Sequence, residues 1–88
     1  MEEETITYKV VVCDFQTNNV YILNIDFPYY SPDDYESYEI IEKNEKVVET
    51  YIYKELRLNP DFTTFVIFSD EGKSEVYGND NKHIATIP

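Results

Sequence analysis

The chain has 88 residues, with 18 acidic and seven basic side chains, a formal net charge of −11 and 42% hydrophobic residues. This length predicts one domain over residues 1–88, and the apolar fraction is typical of a folded protein rather than a disordered one. The charge disfavours direct binding to nucleic acid or to an anionic membrane. It favours contact with basic protein surfaces.

The sequence has no feature of a secreted or membrane protein. The first four residues are acidic and lack the basic and apolar regions of a signal peptide. No apolar run approaches the roughly 20 residues of a membrane span. Cys13 is the only cysteine, so no intrachain disulfide forms and nothing indicates an oxidising compartment. We expect a cytoplasmic location.

A β-hairpin is predicted at the beginning of the chain. Residues 6–15 are rich in β-branched and aromatic side chains, and residues 16–19 are turn formers. In the second strand, over residues 20–27, apolar and polar residues alternate as they do when one face of a strand is buried. The apolar members are Tyr21, Leu23, Ile25 and Phe27.

A helix is predicted after Pro28, which ends the second strand. Ser31 to Asp34 provide a hydroxyl cap, a proline and two acids, and this combination favours a helix start. From residue 35 to about 56 the apolar residues recur at helical spacing. Asn44 lies in the middle of the apolar side, where we expect a hydrogen-bonded core amide.

A second hairpin is the competing interpretation of this region. Residues 38–41 and 47–53 contain many strand formers, and residues 44–46 would be the turn. We prefer the helix because of its strong cap and because Glu/Lys pairs occur at the i,i+4 spacing. These pairs are Glu39–Lys43 and Glu42–Lys46.

The rest of the chain predicts two more strands and a short fifth one. Strands over 63–69 and 74–77 flank a turn in which Gly72 supplies a positive φ, and 83–87 is a candidate edge strand. The fold class is therefore α+β: an antiparallel sheet of two hairpins, in the order ββαββ with a fifth short strand, and one helix on one face.

No catalytic, metal or cofactor site is predicted. Cys13 lies in an apolar run and is expected to be a small buried hydrophobic residue, and His83 is expected at the surface. No local signature joins them as a Cys–His pair. Asp33 and Asp34 are explained by the helix dipole. The acidic loops lack the spacing of a calcium-binding loop.

The acids are concentrated in the predicted helix. Eight of the 18 lie between Asp33 and Glu55. On a helical wheel Glu42, Glu45 and Glu49 share one flank. The lysines Lys43, Lys46 and Lys54 gather on another. The simplest interpretation is a solvated face that keeps the protein soluble.

The functional interpretation is a decoy for nucleic acid. Carboxylates fixed on a scaffold imitate phosphates and attract the basic groove of a nucleic-acid-binding protein or enzyme. The small size, the charge and a composition typical of an AT-rich genome are similar in type to phage-encoded inhibitors of host DNA-acting enzymes, such as anti-CRISPR proteins, antirestriction proteins and inhibitors of uracil-DNA glycosylase. No motif matches one family. The expected partner contacts are Asp33, Asp34, Glu36, Glu42, Glu45, Glu49, Tyr29, Tyr30 and Tyr38.

The alternative is a small interaction module or accessory subunit that binds through an aromatic patch or a sheet edge. Tyr29 and Tyr30 would then be the anchor. Both a monomer and a homodimer are compatible with the sequence, because Cys13 and the edge strand over 83–87 leave self-association open.

Overall fold

The computed structural model describes residues 4–28, 38–69, 72–78 and 81–88, with residues 38 and 39 described by their backbone only. The fold is α+β, as predicted. It consists of β1 (Thr5–Asp14), β2 (Asn19–Pro28), α1 (Tyr38–Lys54), a 3₁₀ turn (Pro60–Phe62), β3 (Thr63–Phe68), β4 (Ser74–Tyr77) and β5 (His83–Ile87). The helix is confirmed over the competing hairpin, and the fifth strand is confirmed. The predicted cap over 31–34 lies outside the described residues.

The five strands form one sheet in the order β2-β1-β3-β4-β5, and every neighbouring pair is antiparallel. Since β1 is antiparallel to both of its neighbours, β2 and β3 run parallel to each other. Parallel strands need a crossover connection, and α1 lies in it. The helix contacts both edge strands, β2 and β5, so it lies across one face of the sheet.

The core lies between this face and the helix. Alternate residues of the strands are buried there, including Val10 and Val12 of β1 and Phe65 of β3, and they meet Val48 and Ile52 of the helix. Burial of each such side chain contributes about 1.5–3 kcal/mol relative to exposure. The alternation predicted for β2 is confirmed. Ile25 and Phe27 are buried, and Tyr21 and Leu23 are half-buried.

A buried carboxylate stabilises the turn between β1 and β2. Asp14 accepts hydrogen bonds from the Gln16 amide at 3.1 Å and from the Thr17 hydroxyl at 2.6 Å. Asn18 follows with a φ of 60°, a conformation that asparagine tolerates better than most residues. These contacts satisfy an acid that is almost completely buried.

A buried amide connects the turn after β4 to the 3₁₀ turn. Asn81 is 2% exposed and has a φ of 56°. Its Nδ2 donates to the Pro60 carbonyl at 3.0 Å, and its backbone amide donates to the Gly78 carbonyl at 2.9 Å. The Thr63 hydroxyl donates to the same Pro60 carbonyl at 3.0 Å. This network fixes where β3 begins relative to β5.

The prediction that Asn44 is a hydrogen-bonded core amide is only partly right. It does lie on the side of the helix that faces the sheet, but its Oδ1 is buried without a hydrogen-bond partner among the described residues. The expected hydrogen-bonded core amide is therefore wrong for this oxygen. A buried acceptor that loses water without gaining a partner destabilises the fold.

The other face of the sheet is not covered by any described element. The strand register aligns five apolar residues across it, one from each strand. In sheet order these residues, which we call the apolar row, are Ile22, Val11, Val66, Val76 and Ala85. Cys13 projects from this face as well and is half-buried, not buried as its apolar neighbours predicted. The reason is the pleat, which directs Val10 and Val12 toward the helix and Cys13 away from it.

Candidate protein-binding surface

The acidic flank predicted for the helix is present in the structure. We use this name for Glu42, Glu45 and Glu49, which lie at spacings of three and four residues and therefore on neighbouring turns of one side. Glu42 is exposed, and Glu45 and Glu49 are half-buried. The flank lies beside the helix face that packs on the sheet, because Val48 and Ile52 are completely buried on that face.

At Glu45 the acidic neighbours have a larger electrostatic effect than the basic ones. Burial raises the pKa of the Glu45 carboxyl above its usual 4.5, and the carboxylates of Glu49 and Glu42 raise it further. Lys46 and His83 lower this pKa, but their effect is smaller, so the pKa stays raised. Glu45 therefore experiences a net negative potential at its position.

The sheet contributes another carboxylate beside the flank. Glu75 of β4 lies on the helix side of the sheet, where its Oε2 is 2.5 Å from His83 Nε2 and accepts a hydrogen bond from the Thr86 hydroxyl at 2.7 Å. Both Glu75 and His83 are half-buried. His83 also lowers the pKa of Glu45 through its charge, so β5 and the acidic flank are neighbours.

Tyr77 lies near both the acidic flank and the pair formed by Glu75 and His83. Its ring is buried, stacks on Phe65 at a centroid distance of 4.4 Å and meets the His83 ring edge-on at 5.4 Å. Burial raises the pKa of its hydroxyl, and the charges of Glu75 and Glu45 raise it further. The hydroxyl therefore stays protonated at neutral pH and keeps its hydrogen bond.

The geometry around His83 does not form a catalytic relay. In a hydroxyl–histidine–acid relay the hydroxyl and the acid contact different ring nitrogens. Here Thr86 Oγ1, at 3.3 Å, and Glu75 Oε2 both lie against Nε2. Cys13 projects from the opposite face of the sheet from His83, so the two do not form a nucleophile–base pair. His83 was expected at the surface; it is instead about one-fifth exposed and held by Glu75.

The described residues contain neither a metal-binding cluster nor a membrane-spanning helix. No group of three or more histidine, cysteine or acidic side chains is arranged to hold a metal ion within that part of the chain. Across the same residues, no helix has both the length and the apolar character needed to cross a bilayer.

The predicted contact residues have different positions relative to the described structure. The acidic flank is brought together as expected, and Tyr53, 66% exposed, is on the same side of the helix. Tyr38 is at the first position of α1, but its side chain is outside the described part of the structure. The other predicted contacts lie wholly outside the described residues: Tyr29, Tyr30, Asp33, Asp34 and Glu36.

Two neighbours of the flank were not predicted. Glu75 and His83 are far from the helix in sequence, and their proximity arises from the way the helix crosses β4 and β5. The one available signal is the alternation in β4, which puts Glu75 on the same face as the buried Tyr77. Comparisons with protein-family models, curated proteins and solved structures find no match for this chain.

Proposed function

We propose that this protein is a non-catalytic inhibitor, encoded by a phage, that occupies the basic nucleic-acid-binding groove of a host protein. The acidic flank would take the place of phosphates in that groove. The observation that supports this proposal is the crowding of carboxylates around Glu45, whose pKa is raised first by burial and then by Glu49 and Glu42, against the smaller opposing effects of Lys46 and His83.

The spacing of the flank supports imitation of phosphates. With a rise of about 1.5 Å per residue, Glu42 and Glu45 are separated by about 4.5 Å along the helix axis, and Glu45 and Glu49 by about 6 Å. One strand of duplex DNA carries a phosphate about every 3.4 Å along its axis. The flank is thus a row of negative charges with a similar but wider period, held by a helix that is anchored on the sheet.

The composition is compatible with a phage of a low-GC bacterium, and the chain would then act in the host cytoplasm. The chain has one alanine and two glycines, and isoleucine, asparagine, tyrosine and lysine are abundant. This balance is typical of an AT-rich genome. The proposal also includes the contacts predicted from the sequence that lie outside the described residues: Tyr29, Tyr30, Asp33, Asp34 and Glu36.

The proposal also predicts that complex formation changes proton binding at Glu45. A cationic groove would stabilise the ionised form of Glu45 and lower a pKa that burial and the neighbouring carboxylates raise. Complex formation would therefore release a proton in mildly acidic buffer. By linkage, binding would weaken as the pH falls toward the pKa of Glu45.

A capture experiment with two variants of equal net charge tests the proposal. The first variant, Glu42→Gln/Glu45→Gln/Glu49→Gln, neutralises the acidic flank. The control, Glu4→Gln/Glu55→Gln/Asp61→Asn, neutralises three exposed acids elsewhere. Each is immobilised and exposed to bacterial lysate at about 50 mM and about 300 mM salt, a range over which contacts of this kind weaken strongly.

We expect the wild-type and control proteins to capture a nucleic-acid-binding protein at low salt, and duplex DNA to displace it. The flank variant should capture far less of that protein. Equal capture by the flank variant, or a captured protein that DNA does not displace, would contradict the proposal. Circular dichroism of each variant shows that the fold is intact.

A further inference from the structure

We propose that the uncovered sheet face is a homodimer interface, on which a second copy of this chain packs face to face. The surface consists of the apolar row and its neighbours on the same face. It is distinct from the acidic flank, which lies on the helix side of the sheet. The proposal therefore does not depend on the proposed inhibitor function.

One row of this face is apolar across all five strands. The apolar row crosses all five strands without interruption because the registers of the four strand pairs align. Ile22 is 69% exposed and the neighbouring Val20 61% exposed. Phe68 and Ile87 add exposed apolar surface on the next row. A contiguous apolar patch of this kind is unusual on a monomer and marks an interaction site.

The charges on this face favour a second copy over a strongly charged partner. The charged residues that project from it, within the described strands, are Lys9 and Asp26, one of each sign. The Lys9 ammonium lies 5.6 Å from the centroid of the Phe68 ring, and the Asp26 carboxylate accepts a hydrogen bond from Thr7. Two chains of net charge −11 repel each other, and this neutral face is where that repulsion is weakest.

The apolar row is also complementary to itself. When the two-fold axis runs parallel to β3, the middle strand, each row faces its own copy in reversed strand order. Ile22, a large residue on the edge strand β2, then lies opposite Ala85, a small residue on the edge strand β5. Val11 meets Val76, and Val66 meets Val66. Large side chains opposite small ones interdigitate in packed sheets, and aligned sheets pack about 10 Å apart.

One broad face of the molecule is large enough for a stable dimer interface. It measures 39 × 30 × 19 Å, so it is a slab of one sheet layer and one helix layer with two broad faces. A stable interface uses about 800 Å² from each partner. One broad face of this slab provides that area, whereas its thin sides do not.

Sedimentation equilibrium of the full chain tests the proposal over a concentration series at low and high salt. We expect a monomer–dimer equilibrium that strengthens with salt, because salt screens the repulsion between the two acidic chains. Ile22→Lys should weaken dimerisation roughly tenfold or more, although it lowers the net negative charge. Tyr53→Lys is the matched control, because Tyr53 is 66% exposed on the helix. It should leave dimerisation unchanged.

Cys13 provides a second readout that does not depend on a variant. It lies on the proposed interface and is half-buried in the single chain. Its reaction with a maleimide should slow as the protein concentration rises through the dimerisation range. For the Ile22→Lys variant the slowing should require protein concentrations roughly tenfold higher or more.

Three outcomes would overturn the proposal. One is a wild-type protein that stays monomeric at high concentration and high salt. Another is a dimer that Ile22→Lys leaves intact, since dimerisation then uses another surface. The third is capture of a different protein that Ile22→Lys abolishes while the wild type is monomeric. The flank variant described above should dimerise normally, so failure of the inhibitor proposal and failure of this one give different results.

Discussion

The Tyr77 hydroxyl donates a hydrogen bond to the Ile41 carbonyl at 3.2 Å and thereby connects β4 to the first turns of α1. A backbone carbonyl has two lone pairs, so Ile41 can accept this bond in addition to one within the helix. The contact lies between the buried core and the acidic flank. It fixes the position of the helix over the strands that carry Glu75 and His83.

Removal of this hydroxyl should lower stability without a change of shape. Tyr77→Phe keeps the ring and its stacking on Phe65, but it removes the hydroxyl from a part-buried hydrogen bond to the Ile41 carbonyl. We expect the free energy of unfolding to fall by about 1 kcal/mol in urea denaturation. Tyr53→Phe, at an exposed position on the helix, is the control and should change stability little. Equal effects of the two variants would show that the Tyr77 bond does not contribute.

Asn81 should be sensitive to both its side chain and its backbone conformation. Asn81→Gly removes the amide contacts to Pro60 and tolerates the positive φ, so we expect a loss of about 1–2 kcal/mol. Asn81→Ala removes the same contacts and adds the steric cost of the left-handed conformation, about 1 kcal/mol more. Thermal and urea unfolding of both variants measure the two contributions. An alanine variant as stable as the glycine variant would contradict the role given to the backbone.

Replacement of Asn44 should stabilise the protein. Asn44→Ala removes a buried oxygen that has no hydrogen-bond partner among the described residues, and it also improves helix propensity. Thr50→Ala, at an exposed position of the same helix, measures the propensity contribution alone, because threonine and asparagine have similar propensities. We expect Asn44→Ala to exceed Thr50→Ala by about 1 kcal/mol in the free energy of unfolding. A smaller gain at Asn44 than at Thr50 would mean that the amide is favourably placed.

The raised pKa of Glu45 predicts a pH-dependent effect on stability. An acid whose pKa is higher in the folded state binds protons more tightly there, so its ionisation opposes folding. This penalty is absent below the usual pKa of 4.5 and grows as the pH rises through the folded-state pKa. Glu45→Gln should therefore stabilise the protein at pH 7 by about 0.5 kcal/mol, because it removes a partly buried charge that has two like-charge neighbours on the helix, and it should have no effect near pH 4.

Glu55→Gln controls for the change in net charge, since it removes an exposed acid outside the acidic flank. Urea denaturation from pH 4 to pH 7 measures the difference between each variant and the wild type. A stability gain that is the same for both variants at every pH would attribute the effect to net charge rather than to the crowding of Glu42, Glu45 and Glu49.

Local sequence patterns determined the secondary structure. The alternation in β2, the helical spacing from Ile40 to Ile52 and the turn residues around Gly72 each predict an element that the structure contains. These features depend on neighbours within a few residues, so periodicity and propensity identify them. The grouping of Glu42, Glu45 and Glu49 is predictable for the same reason, because one helix fixes their spacing.

Only the tertiary structure decided how these elements meet. The insertion of β1 between β2 and β3 depends on pairing between distant segments, and it creates both the parallel relation of β2 to β3 and the apolar row. The position of Cys13 depends on which face of the sheet the helix covers, and the unpartnered oxygen of Asn44 depends on what the helix packs against. The proximity of Glu75 and His83 to the acidic flank also depends on how the helix packs on the sheet. Long-range packing sets these relations, and no short stretch of sequence encodes the direction in which a helix crosses a sheet.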